Sequence, residues 1–164
     1  MFRRFEFEKE FNSTLEFIPM SMRRKLDLVG VKMHLNEWQA LSMTERLAAC
    51  HLPAASAEER EVLGNFLREA VKRRTGNDAA NVKPVTEESG PDAGRVPADV
   101  LRLISELQLR ASEWGRFDSD ERFALSKLAR GPAEKFRSAW AEIAGAAGSS
   151  KSAPAPKENK EAVR

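Results

Sequence analysis

Trp38-Gln-Ala-Leu-Ser-Met-Thr-Glu-Arg-Leu47 and Trp114-Gly-Arg-Phe-Asp-Ser-Asp-Glu-Arg-Phe123 follow one pattern, at a constant offset of 76 residues. Ser42 and Glu45 in the first copy have capping-box spacing, and the second copy has aspartate and glutamate at the same positions. Such a repeat predicts two helical units that bury their apolar faces against each other. Chance similarity is the alternative, because capping boxes are common in helical proteins.

Apolar periodicity and end signals predict further helices around both copies. In the first half, they place helices at 20–29 before Gly30, at 36–41, at 43–51, and from the Ser56 capping box to Arg74. In the second half, they place helices from Pro97, around Ser112 to Phe117, after Asp118, and after Gly131-Pro132. The predicted fold is therefore all-α, a bundle of about six to eight helices in two pseudo-repeated halves.

Composition divides the chain into four predicted segments. Residues 1–74 form the first helical half and residues 97–144 the second, and we expect them to pack together as one domain. Residues 75–96 collect glycine, proline and asparagine with little hydrophobicity, which is typical of a flexible linker. Residues 145–164 are too poor in large apolar side chains to offset the entropy of ordering, which predicts a disordered tail.

The charge balance argues against nucleic acid as a partner. Residues 1–74 carry 13 basic and 11 acidic side chains, and residues 97–143 carry eight of each, so neither half has a strong basic field. The single cysteine, Cys50, excludes an intramolecular disulfide and suits a reducing compartment. Charges interrupt every apolar run near the N-terminus, and no stretch of roughly 20 apolar residues could span a bilayer. We expect a cytoplasmic protein without a membrane segment.

Catalytic and metal-binding motifs are weak. His34, Cys50 and His51 lack the spacing of a zinc site, and their structural or surface roles are favoured over metal binding. Cys50 could act as a nucleophile if a histidine lay beside it in space, although only the two residue types support this alternative. No glycine-rich phosphate loop and no Gly-x-Ser-x-Gly motif occurs. The sequence therefore predicts no catalytic residues, no metal site and no cofactor, and we expect a protein that is not an enzyme.

The repeated Glu-Arg steps could be taken for acid/base or anion sites. Capping explains Glu45 and Glu121 without such chemistry, and it leaves Arg46 and Arg122 on a solvated or helix-packing side. We therefore predict structural roles for both glutamates. Trp38 and Trp114 are predicted anchors of the core.

Two further clusters are candidates for binding. Arg23, Arg24 and Lys25 could bind an anion or a partner, because arginine matches oxyanions; the alternative is a solvated face of an amphipathic helix. Phe2, Phe5 and Phe7 crowd an end that would normally fray. These N-terminal aromatics, together with Phe11, either dock on the core or form an exposed patch for a partner. Docking is the favoured interpretation for Phe5, Phe7 and Phe11.

The sequence also resembles a known family. The resemblance rests on Phe5-Glu-Phe-Glu8, Ile18-Pro-Met-x-Met-Arg-Arg-Lys-Leu-Asp27, Gly30-Val-Lys32 and Trp38-x-x-Leu41 with Glu45-Arg46, and further on Trp114 and Arg122-Phe-Ala-Leu-x-Lys-Leu128. These strings are similar to the nitrate reductase-associated proteins, over most of residues 5–143. Phe17 departs from the pattern, which is expected to have a cysteine there.

The resemblance implies an accessory role in nitrate assimilation and no catalytic residue. The family name reflects genes that lie beside those for nitrate assimilation and molybdopterin, so it denotes a gene neighbourhood rather than a reaction. The expected partner is nitrate reductase or its molybdenum-cofactor machinery. The alternative is a small anion or ligand sensor that uses Arg23, Arg24 and Lys25.

Overall fold

The structure, a computed structural model, describes residues 2–86 and 90–149, and helices dominate it. The α-helices are α1 (Lys9–Asn12), α2 (Met20–Val29), α3 (Leu35–Ala40), α4 (Met43–His51), α5 (Ala57–Thr75), α6 (Ala98–Glu106), α7 (Ser119–Leu128) and α8 (Ala133–Ser149). Among these described residues, 3₁₀-helices cover Glu6–Glu8 and Ala111–Arg116, and the short strands are β1 (Val31–Lys32) and β2 (Ala80–Asn81). The predicted all-α class is confirmed.

Most helices begin and end where local chemistry predicts. Capping boxes are present at Ser42, Ser56 and Asp118, where the side-chain oxygen accepts an N–H of the first turn and a glutamate returns to the cap N–H. Gly30 and Gly76 end α2 and α5 in the left-handed conformation, which glycine adopts without steric cost. These ends depend on residues a few positions apart, so the sequence alone predicts them.

The segment predicted as a linker contains a strand that sequence analysis missed. In the antiparallel pair β1–β2, Val31 lies opposite Asn81. The pairing continues beyond the strands, because the Val82 N–H donates to the Gly30 carbonyl at 2.9 Å and the Val85 N–H donates to the Asp27 carbonyl at 2.8 Å. A strand of two residues is too short for an alternating pattern, so no periodicity predicted it. The chain after α5 therefore runs back along the end of α2.

Gly30 lies where this returning chain approaches most closely. Its φ is +67°, and a Cβ there would lie 2.6 Å from the Val82 carbonyl oxygen and 2.8 Å from Pro84 Cγ. We expect Gly30→Ala to lower the free energy of unfolding by about 2 kcal/mol, measured by urea denaturation, because it adds both backbone strain and a backbone clash. Gly76→Ala is the matched control: its φ is +75° with open space around it, so about 1 kcal/mol is expected. Equal losses would show that the close approach has no energetic weight.

Two clusters of buried side chains fill the interior. One gathers Trp38 with apolar residues of the first half, and the other gathers Trp114 with α6, α7 and α8. The N-terminal segment enters both, since Phe2 belongs to the first cluster and Phe5 to the second. Helix α2 packs against α7, so the two clusters lie on either side of a seam between the halves. The division into two halves with one shared core stays a prediction.

Helix α8 corrects the predicted start of the tail. It continues to Ser149, which is five residues into the segment 145–164 that was predicted to be disordered. Alanines alternate with small residues after Ile143, and alanine is the best helix former, so the helix extends without large apolar side chains. Residues 150–164 of the predicted tail lie outside the described residues. No helix in the described part of the chain combines the length and apolarity needed to cross a membrane.

Candidate functional site

The first copy of the repeat holds the loop before α2. The indole N–H of Trp38 donates to the Leu15 carbonyl at 2.7 Å, and a terminal N–H of Arg46 donates to the same oxygen at 2.9 Å. Leu15 is fully buried and has a φ of +50°, which is uncommon for a residue other than glycine. Two donors on one carbonyl therefore fix a turn that the backbone alone does not favour.

The second copy repeats this arrangement before α6. The indole N–H of Trp114 donates to the Asp92 carbonyl at 2.9 Å, and Nε of Arg122 donates to the neighbouring Pro91 carbonyl at 3.0 Å. The prediction that Arg46 and Arg122 lie on a solvated or helix-packing side is therefore wrong. Each arginine binds a loop carbonyl, because it follows its tryptophan by eight residues and reaches the same loop. That shared spacing is the sequence signal that could have indicated the contact.

The two glutamates of the repeat make hydrogen bonds and ion pairs within the fold. The Glu45 carboxylate accepts the N–H of its capping serine at 2.7 Å and hydrogen bonds from Arg73 at 2.8 Å and Arg74 at 2.9 Å. Desolvation acts to raise the pKa of Glu45, but these hydrogen bonds outweigh it and lower the pKa to about 2. Glu121 makes the same capping contact and pairs with Arg3. Both Glu-Arg steps are thus engaged within the fold.

The three cations of the predicted cluster, Arg23, Arg24 and Lys25, contact different parts of the structure. Lys25 donates to two carbonyls at the C-terminal end of α4, at 2.7 and 2.6 Å. Arg24 pairs with Asp120 of α7 at 3.3 Å, and Nε of Arg23 donates to the Ile18 carbonyl at 3.0 Å. Successive helical residues point about 100° apart, so adjacent cations do not converge on one ligand. Arg23 lines both open cavities described below, whereas Arg24 and Lys25 line neither.

The N-terminal aromatics dock rather than forming one exposed patch. Phe2 and Phe5 are 7% and 1% exposed, and Phe7 is half-buried with its ring stacked on that of Phe5 at 4.9 Å. Phe2 and Phe5 are therefore unavailable to a partner in this conformation, which corrects their assignment as partner-binding residues. Hydrophobicity alone could not separate the two interpretations, since a buried and an exposed aromatic cluster have the same sequence.

The candidate catalytic residues are not arranged for nucleophilic chemistry. Cys50 is fully buried, and desolvation raises the pKa of its thiol to about 12, which disfavours the reactive thiolate. His51 is exposed and lies edge-on to Phe2 at 5.9 Å, and His34 is an exposed helix cap. Within residues 2–86 and 90–149, no three His, Cys, Asp or Glu side chains are grouped to hold a metal ion.

A large open groove lies between the N-terminal segment and α8, and we call it the composite groove. Its volume is about 890 Å³. It is lined by both halves of the chain: Glu6, Phe7, Glu8, Lys9, Glu10, Phe11, Phe17, Ile18, Met20 and Arg23 from the first, and Leu128, Glu134, Lys135, Ser138 and Glu142 from the second. No sequence pattern predicted this groove, because its two walls are more than 100 residues apart along the chain.

An aromatic pair is part of the lining of the composite groove. The rings of Phe11 and Phe17 meet edge-on with 5.4 Å between their centroids, and Phe17 is 46% exposed. The opposite wall is tied to this one, because the Glu142 carboxylate accepts the backbone N–H groups of Glu6 at 2.8 Å and Phe7 at 3.0 Å. The groove is therefore a fixed feature of the seam rather than a gap between loose segments.

Glu8 is the unusual residue of this groove. Its side chain is buried, with 4% of the residue exposed, and Oε1 accepts the backbone N–H of Met20, the first residue of α2, at 2.9 Å. Oε2 is buried and has no hydrogen-bond partner among the described residues. Desolvation raises the pKa of Glu8 to about 7, although the Met20 bond and the positive charge of Arg23 act to lower it. A buried carboxyl that titrates near neutrality was not predicted from the sequence.

Comparison with known proteins places the chain in a family. A family model described as conserved nitrate reductase-associated protein matches residues 4–143, a range that includes every residue lining the composite groove. No curated protein and no solved structure matches the chain significantly. The resemblance found in the sequence is confirmed.

Proposed function

The chain belongs to the conserved nitrate reductase-associated protein family, and from this membership we propose that it is a non-catalytic accessory protein of nitrate assimilation. Its proposed partner is the nitrate reductase or the machinery that supplies the reductase with its molybdenum cofactor. The proposed binding surface is the composite groove, and the proposed location is the cytoplasm. The observation that carries this proposal is the exposed Phe17 side chain, paired with Phe11, in a groove that both halves line.

The composite groove has the composition of a protein interface. Interfaces concentrate aromatic residues and arginine at their centre and place polar residues around the rim. The composite groove contains residues of these types, because Phe11, Phe17 and Arg23 are among those that line it. Exposed charged residues of both signs also line it: Glu6, Lys9, Glu10, Glu134 and Lys135. A partner with an apolar side chain at its centre and mixed charges around it would complement this surface.

The candidate polar residues are already occupied by contacts or burial within the fold, and this supports a non-catalytic role. The Glu-Arg steps are bound to loops and helix caps, and the Cys50 thiol is buried and protonated. The sensor alternative, with Arg23, Arg24 and Lys25 around one anion, has less support. Arg24 and Lys25 are held by contacts within the fold, and a common ligand would have to break them.

Phe17→Asp tests the proposed surface in cells. We expect tagged wild-type protein, expressed from its native locus during growth on nitrate, to co-purify with nitrate reductase or molybdenum-cofactor proteins. Phe17→Asp should reduce that recovery at least tenfold, because it replaces an exposed aromatic ring of the groove lining with a charge. Quantitative mass spectrometry of the captured proteins measures the change.

Val62→Asp is the matched control for this experiment. Val62 is 57% exposed on α5 and does not line the groove, so the same charge there should leave recovery unchanged. Equal recovery with both variants would exclude the groove as the binding surface. Absence of reductase and cofactor proteins from the wild-type sample itself would overturn the proposed function.

A further inference from the structure

We propose that a second cavity, beside α2, β1 and α7, is a binding site for a small organic acid, which it would hold by the carboxylate. We call this cavity the basic recess. Its volume is about 360 Å³, and its lining is Ile18, Arg23, Leu26, Asp27, Val31, Lys32, Met33, His34, Leu35 and Lys127. The recess shares Ile18 and Arg23 with the composite groove, and its other lining residues are separate.

The polar side chains of the recess favour an anion. The lining of the recess includes one carboxylate, that of Asp27. It also includes four nitrogen-bearing side chains, those of Arg23, Lys32, His34 and Lys127. Asp27 pairs with Lys127 at 3.3 Å and so neutralises one of the cations. The charges of Arg23 and Lys32 remain, in a chain whose total net charge is +2. A small cavity with this excess of positive charge raises the local concentration of anions.

Arg23 is positioned to bind a carboxylate. Its Nε–H donates to the Ile18 carbonyl at 3.0 Å, and this contact fixes the plane of the guanidinium at the edge of the recess. Arg23 lines the cavity, and a guanidinium held in this way can donate two parallel hydrogen bonds from its terminal amino groups to the two oxygens of a carboxylate. Preorganisation of this kind lowers the entropy that a ligand must overcome.

The floor of the recess is apolar. Ile18, Leu26 and Val31 are buried there, and Met33 and Leu35 lie at the rim with more exposure. A bare inorganic anion would leave this floor in contact with water, whereas an apolar group attached to the carboxylate would cover it. The volume lies at the small end of the range for ligand pockets, roughly 300–1,000 Å³. The ligand class is therefore a monocarboxylate with a compact apolar body.

Calorimetric titration of the purified full chain with benzoate tests this site. Benzamide is the matched neutral probe, because it has the same shape without the charge, and nitrate is the probe for a bare oxyanion. We expect benzoate to bind at least tenfold more tightly than either. Arg23→Gln should weaken benzoate binding at least tenfold, and Lys32→Gln, at an exposed strand position away from the Ile18 contact, should weaken it about threefold.

Arg102→Gln is the control for non-specific charge effects. Arg102 is an exposed cation on α6 that pairs with Glu106 and does not line the recess, so benzoate affinity should not change. If benzamide bound as tightly as benzoate, the assignment of a carboxylate ligand would be overturned. If nitrate bound more tightly than benzoate, the assignment of an apolar body to the ligand would be overturned. Loss of binding in Arg102→Gln, or no benzoate binding up to about 10 mM, would exclude the site. The titration contains no partner protein, so its failure leaves the proposed accessory function untouched.

Discussion

Replacing Trp38 with alanine is expected to lower the free energy of unfolding by about 3–5 kcal/mol, which urea denaturation would measure. The side chain is fully buried, and its removal leaves a large cavity that the surrounding helices can fill only in part. It also removes the indole hydrogen bond to the Leu15 carbonyl at 2.7 Å. Because α2 begins shortly after Leu15, the loss loosens the entry to the helix that joins the two halves.

Trp38→Phe separates the hydrogen bond from the packing. The Leu15 carbonyl keeps its bond from Arg46 in this variant, so a smaller loss, of about 2 kcal/mol, is expected. Adding Arg46→Met leaves the buried carbonyl without either donor. The double variant should therefore lose about 1 kcal/mol more than the sum of the single changes. Strict additivity would contradict the inference that both side chains hold one carbonyl.

The helix ends of this fold could be predicted because their causes are local. Ser42 reaches an amide three residues away, and Gly30 ends α2 through its own backbone freedom. The loop contacts of Trp38 and Arg46 could not be predicted in the same way. Their acceptor, Leu15, lies 23 and 31 residues earlier, and it is a backbone carbonyl that no side-chain pattern marks.

The candidate sites were harder to predict than the helices. Adjacency of Arg23, Arg24 and Lys25 suggested one anion site, but helical geometry sends Lys25 toward α4 and Arg24 toward α7. The basic recess instead joins Arg23 to Lys127, which lies 104 residues later. Cavities form where distant elements meet, so their lining follows from the packing of α2 on α7 and of the 3₁₀-helix Glu6–Glu8 on α8, and not from spacing in the chain.

Glu8→Gln is expected to stabilise the protein above neutral pH and to have little effect at pH 5. The pKa of Glu8 is raised from 4.5 to about 7 in the folded chain, so the fold favours the protonated carboxyl. Its contribution is fully present below about pH 4.5, declines as the pH rises, and becomes a constant penalty above about pH 7. A rise of this size in the pKa corresponds to roughly 3 kcal/mol in the free energy of unfolding. Glutamine keeps an oxygen that can accept the hydrogen bond from the Met20 N–H, and its side chain cannot ionise.

Urea denaturation of the wild type and of Glu8→Gln, at pH 5 and at pH 8, measures this effect. The quantity to compare is the gain in the free energy of unfolding at pH 8 with the gain at pH 5. The gain of Glu8→Gln over wild type should grow by about 2–3 kcal/mol between the two values, because charges common to both proteins cancel. The pKa of Glu45 is about 2, so that group stays ionised throughout this range. Glu10→Gln, at an exposed position two residues away, should show no such growth. A flat response for Glu8→Gln would mean that the Glu8 carboxyl is ionised at both pH values. The buried Oε2 would then carry a charge that Arg23 stabilises, which links this carboxyl to the one arginine that lines both cavities.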